Sequence, residues 1–111
     1  TNIQQARINR ELAEVTLEET RNQLRQIIET AHNDASAAAK SYQAALKQVA
    51  ALQESNRVND QRYEVGAINF TEYQVSRNNL NQAENDLVRS KFEYIFRLKI
   101  VEFYLGIPIT L

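Results

Sequence analysis

The chain is 111 residues long, enough for one domain and little more. Its thirteen basic residues are scattered and almost balanced by acids, for a formal net charge of −1, so no basic face exists to hold a nucleic-acid backbone by counterion release. The absence of cysteine excludes disulfides and thiolate metal sites and leaves the redox compartment unreadable.

Hydrophobic residues make up 43% of the chain, yet mean hydropathy is −0.51, a mix that suits amphipathic helices better than a deep closed core. There are only two glycines and one proline, which favours helix over turn. The wealth of Ala, Gln, Glu, Asn, Arg and Leu is that of long helices and coiled coils. No run of about 18 apolar residues is present to cross a membrane as a helix, and no signal peptide is visible. The chain has no methionine and starts, at Thr1, inside a polar helical pattern, so it reads as an excised or processed piece of a longer protein.

The first predicted element is one helix over about residues 2–64, a stretch with neither Gly nor Pro. Within it Leu24, Ile28, Ala31, Ala35, Ala38, Tyr42, Ala45, Val49 and Leu52 recur at alternating steps of four and three, the heptad pattern of a coiled-coil seam. Much of that seam is alanine, so helix axes can approach closely. A second row, Ala39, Leu46 and Ala50, widens the stripe and predicts contact with more than one neighbouring helix. At 1.5 Å per residue the helix is on the order of 95 Å long, far more than a globular domain of this size needs.

A tight reversal is predicted at 65–69. Gly66 suits the left-handed position just past a helix end. Asn69 can cap a new helix with Glu72 at its third position, and Ile68 and Tyr73 are spaced as a hydrophobic staple. The returning helix is predicted over about 70–105. Tyr73, Leu80, Leu87, Tyr94 and Val101 repeat every seven residues, and Ala83 and Leu98 broaden that face. Its last third, from Phe92, is far more aromatic and apolar. Gly106 and Pro108 end it, and residues 107–111 read as an extended tail.

The lengths do not match. The second helix can fold back only to about residue 28, leaving Ile8, Leu12, Val15 and Leu17 as an apolar stripe to be covered by other chains or by further parts of the parent.

Chemistry is hard to find. His32 is the only histidine, in mid-helix with only Glu29 as a possible companion ligand, so it reads as solvated. There is no nucleophile elbow and no Ser-His-Asp set, no phosphate-cradling glycine loop, and paired acids such as Glu18 and Glu19 lie on a charged surface. The aromatics Phe92, Tyr94, Phe96, Phe103 and Tyr104 read as helix packing in a wider part of an assembly. The tip is different. A plain turn accounts for Gly66, Asn69 and Glu72 but not for Val65, Ala67, Ile68 and Phe70 clustering at an exposed end, which points to docking.

The segment Arg62-Tyr63-Glu64-Val65-Gly66-Ala67-Ile68-Asn69-Phe70-Thr71-Glu72-Tyr73 resembles the periplasmic tip of TolC-type outer-membrane efflux proteins. Leu80, Ala83 and Leu87, then Phe92-Glu93-Tyr94-Ile95 and Phe103-Tyr104-Leu105-Gly106, extend the likeness over nearly the whole chain. The resemblance implies an all-α, long antiparallel coiled-coil hairpin, one segment of a trimeric α-helical barrel, drawn from the helical part of the second of two repeats and lacking the β-barrel strands. It further implies a homotrimer, a periplasmic adaptor (membrane fusion protein) docked at the tip, an inner-membrane pump reached through that adaptor, outer-membrane anchorage through the β-barrel, and transport without catalytic residue, metal or cofactor.

By position, Val65, Gly66 and Ala67 match the docking motif, with Ile68, Asn69 and Phe70 completing the tip. Tyr63 and Glu72 match an aromatic and an acidic residue near the periplasmic entrance. Ile68 and Val75 stand where some members carry Arg and a second Asp, so a polar latch or acidic ring is reduced here to Glu72. Two other readings fit the helical hairpin: a structural coiled-coil spacer, and the hairpin of a periplasmic adaptor. The spacer leaves the tip sequence unexplained, and the adaptor requires flanking lipoyl-like β segments. An enzyme would require a ligand cluster that these residues do not supply.

Overall fold

A computed structural model describes residues 1–106; the expected tail over 107–111, including the stop at Pro108, lies outside the described residues. Two helices are present among the described residues: α1, Asn2–Glu64, and α2, Phe70–Tyr104. They fold back on one another as an antiparallel hairpin, a rod 95 Å long and 25 × 15 Å across. The expected all-α coiled-coil hairpin is the observed fold.

The seam on α1 is the sequence's heptad row. Ala31, Ala35, Ala38 and Val49 are buried, with Ile28, Tyr42, Ala45 and Leu52 half-buried between them. On α2, Ala83 and Val101 are buried and Tyr73, Leu80, Leu87 and Tyr94 are half-buried. Opposed residues confirm the register: Val101 joins Ala31 and Ala35 in one cluster, and the Tyr42 and Tyr94 rings meet edge to face at 6.0 Å. Most of the buried seam residues are alanine, and each buried methyl yields only roughly 0.8 kcal/mol. No large side chain among the described residues is fully buried. The hairpin is therefore held by many weak layers rather than by a core.

One detail differs from the sequence reading. The α2 stripe does not widen toward Leu98, which is exposed; the second seam position falls on Ser76, Ala83, Ser90 and Arg97, of which only Ala83 is apolar. Arg97 lies 3.6 Å from Asp34 across the helix pair. On α1, the second row is only partly covered: Ala39 is half-buried, but Leu46 and Ala50 are exposed.

Beyond the reach of α2, the first third of α1 stands alone, with Ile3, Ile8, Leu12, Val15, Leu17 and Leu24 all exposed. A second apolar row also opens there. In line with the seam, Ile3 and Leu17 are interspersed with Arg7, Arg10, Glu14 and Arg21, and Arg10 and Glu14 are 3.7 Å apart as an ion pair. Ile8, Leu12 and Val15 face roughly the opposite way, by the 3.6-residue period of the helix. On α2 the outward face is polar near the tip (Gln74, Asn78, Asn81, Asn85) and turns apolar at Val88, continuing through Phe92, Ile95, Phe96 and Phe103, all exposed.

Candidate docking tip

The tip is a five-residue reversal whose two ends are both closed by hydrogen bonds. At the end of α1 the Ala67 amide donates to the Arg62 carbonyl at 2.7 Å and the Gly66 amide to the Tyr63 carbonyl at 3.0 Å. These are the paired 6→1 and 5→2 bonds of a Schellman motif, which use up carbonyls that a helix end otherwise leaves free. The motif needs a left-handed residue, and Gly66 supplies it with φ +77°. A side chain placed at Gly66 would meet nothing within 4 Å, so the glycine is required by its backbone and not by crowding.

At the start of α2 the Asn69 side-chain oxygen accepts the Glu72 amide at 2.8 Å, as its position predicts. Glu72 also places a negative charge in the first turn, where the helix dipole favours it. With both ends fixed, the residues between them are presented on a defined backbone. Val65 is 80% exposed and Phe70 55%, while Ile68 is half-buried.

Tyr63 does not stand alone at the turn. Its ring stacks on Tyr73 at 4.5 Å between centroids and 16° between planes, and Phe70 tilts against both at 6.2 and 6.5 Å. Such ring pairs contribute about 0.5–1.5 kcal/mol beyond their buried area. Tyr73, expected to staple against Ile68, thus has Tyr63 as its aromatic partner, and the stack binds the last turn of α1 to the first of α2. Arg77 donates to the Tyr73 hydroxyl at 3.0 Å and lies 5.8 Å from the ring centroid. That hydrogen bond and the nearby phenol hold its pKa above the ordinary value, with a smaller contribution from Asp60.

Between the aromatic cluster and the alanine seam lies a polar layer. Asn59 donates to Ser76 Oγ at 3.0 Å, Ser76 donates to Asn56 Oδ1 at 3.3 Å, and Asn56 donates to Asp60 at 3.4 Å. These residues escaped the sequence reading because a heptad search follows apolar positions. The signal was present all the same: continuing the four-three steps past Leu52 lands on Asn56, Asn59 and Tyr63. On the outer surface Arg57 binds Glu54 at 2.6 and 3.0 Å, which lowers the Glu54 pKa through the hydrogen bond first and the charge second.

Among the described residues no set of side chains converges as a reaction site would. His32 is exposed, beside Ile28, Glu29 and Asn33 in a shallow depression. Among the described residues no group of three or more His, Asp or Glu is placed to hold a metal ion. An open groove lies where α2 runs out against Gln23, Ile27 and Ala31. Among the described residues no helix is long and apolar enough to cross a membrane.

A slender hairpin of two long helices with an alanine seam, a clamped apolar tip and uncovered flanks is an all-α coiled-coil rod. The outer membrane efflux protein family matches residues 1–98, the whole of α1, the tip and most of α2, and the chain belongs to that family. The match ends before Phe103–Gly106, the last of the segments that resemble the family. Membership places the chain among components of outer-membrane efflux. No curated protein and no solved structure matches it significantly.

Proposed function

We propose that this hairpin is part of a passive export conduit and that its tip, Val65, Gly66, Ala67, Ile68, Asn69 and Phe70, docks a periplasmic adaptor. The observation that carries the reading is the combination of exposure and order at the tip. Val65 and Phe70 lie open to solvent on a turn that a Schellman motif, an Asn69 cap and a three-ring cluster all hold in place. A turn needing only to reverse the chain has no use for exposed apolar groups, which lose free energy in water unless a partner covers them. Preorganisation lowers the ordering cost of binding.

In this reading the parent is a homotrimer anchored in the outer membrane by a β-barrel. This segment projects into the periplasm, and an inner-membrane pump, reached through the adaptor, supplies the energy. The uncovered apolar faces, Ile8, Leu12 and Val15 on α1 and Val88, Phe92 and Phe96 on α2, are where neighbouring helices of the assembly pack. Tyr63 and Glu72 sit at the entrance, Tyr63 as part of the ring stack and Glu72 as its remaining acid. No residue is asked to perform catalysis, and no metal or cofactor is required.

The test is capture in cells. Ala67→Cys in the full-length protein, in a chain region that has no cysteine of its own, should crosslink to a periplasmic adaptor. Capture should fall at least tenfold when Val65→Glu or Phe70→Glu is added, with trimer assembly unchanged. An assembled channel that captures no co-expressed adaptor would leave the tip a plain turn and the hairpin a spacer.

A further inference from the structure

Asp60 and Arg77 hold an unfinished interaction. Each follows a seam residue by one position, Asn59 on α1 and Ser76 on α2, and these two seam residues are hydrogen-bonded to each other. Positions just outside a seam are where charged side chains of paired helices meet, so Asp60 and Arg77 flank the same side of the same layer. They are nonetheless not ion-paired in this structure. Asp60 is half-buried; one of its oxygens takes the long contact from Asn56, and the other is buried without any hydrogen-bond partner among the described residues. A buried acceptor left unpaired is a standing cost to the fold, larger when it belongs to a charged group.

The donor that could remove that cost is engaged elsewhere. Arg77 spends its guanidinium on the Tyr73 hydroxyl and ring. It is exposed, flexible and always charged, so it is free to rotate without losing its proton. Asp60 is already near enough for its charge to act on Arg77.

We propose that Arg77 is a two-position tie at the base of the tip. Bound to Tyr73, as here, it braces the aromatic cluster from outside. Swung onto Asp60, it completes the polar layer with a cross-helix ion pair and releases Tyr73. Any event that shifts the Tyr63–Tyr73 stack is thereby converted into a change in how tightly the two helices are joined one layer further up. The tie is a property of the hairpin and does not depend on what docks at the tip.

A sign reversal tests it, read as thermal midpoints of the purified full-length protein. Tyr73→Phe keeps the ring and removes the hydroxyl, so it should send Arg77 to Asp60. In the natural background, Asp60→Asn should leave the midpoint unchanged or raise it, since it neutralises an unpaired buried oxygen. In the Tyr73→Phe background the same substitution should lower the midpoint, by ~2 °C. Adding Arg77→Gln should abolish that dependence on background. Asp60→Asn acting equally in both backgrounds would overturn the proposal, because it would mean that Arg77 has one position only. A background effect that survives Arg77→Gln would overturn it as well, because some other group would then be the donor.

Discussion

Replacing Gly66 separates the turn from the surface it presents. At φ +77° an L-residue pays about 1–2 kcal/mol for the left-handed conformation. Against that, alanine has less freedom than glycine in the unfolded chain, which returns about 0.4–1 kcal/mol. Gly66→Ala should therefore destabilise by about 1 kcal/mol, roughly a fivefold change in the folded-to-unfolded ratio. Because nothing lies within 4 Å of a Cβ at Gly66, the cost of Gly66→Ala is that of its backbone alone; Gly66→Leu should cost about the same if its longer side chain also stays in solvent, and Gly66→Asn less than either, since asparagine tolerates this region best. The assay is denaturant unfolding of the full-length protein followed by helical circular dichroism, with the slope checked for constancy. A leucine variant clearly worse than the alanine variant would refute the reasoning, because it would reveal crowding where the structure has open space. So would an asparagine variant no better than alanine. Should the two variants match in stability but differ in adaptor capture, the difference measures the docking contact alone.

Two further outcomes follow from the same geometry. Ala83 is the most buried of the described residues, at 5% exposure, so Ala83→Leu should overpack the seam and cost about 1–3 kcal/mol, read from the same unfolding curves; an unchanged midpoint would mean that the seam is looser than this burial indicates. Asn69→Ala removes the acceptor of the Glu72 amide and should cost about 1 kcal/mol, whereas Asn69→Asp, which keeps that acceptor, should stay near the natural value. Equal losses in the two Asn69 variants would show that the cap bond is not what the residue contributes.

Much of the tip was legible in the sequence because its determinants are local. Gly66 has the one backbone freedom that a Schellman ending demands, and Asn69 has an oxygen at the right reach of its own helix. What the sequence did not show was the company these residues keep. Tyr63 and Tyr73 are ten positions apart and lie in different helices, so their stack depends on the register of the hairpin. The layer of Asn56, Asn59 and Ser76 was passed over for a related reason: hydrophobic periodicity finds a seam only while it remains apolar. The same bias led to Leu98 being placed on the inner face, where Arg97 in fact lies.

The sequence by itself determined the two helices, the place of the turn and the alanine row that joins them, since helix propensity, capping and a four-three repeat act over neighbouring residues. Tertiary structure decided which apolar rows are covered and which are left open. Leu46, Phe92 and Val88 carry the same hydrophobic signal as Val49 or Val101, yet they are exposed because a hairpin of two helices has only one mutual face. Period and composition can say that a residue wants burial. Only the path of the second helix, its length and its rotation about its own axis settle whether this chain can provide it.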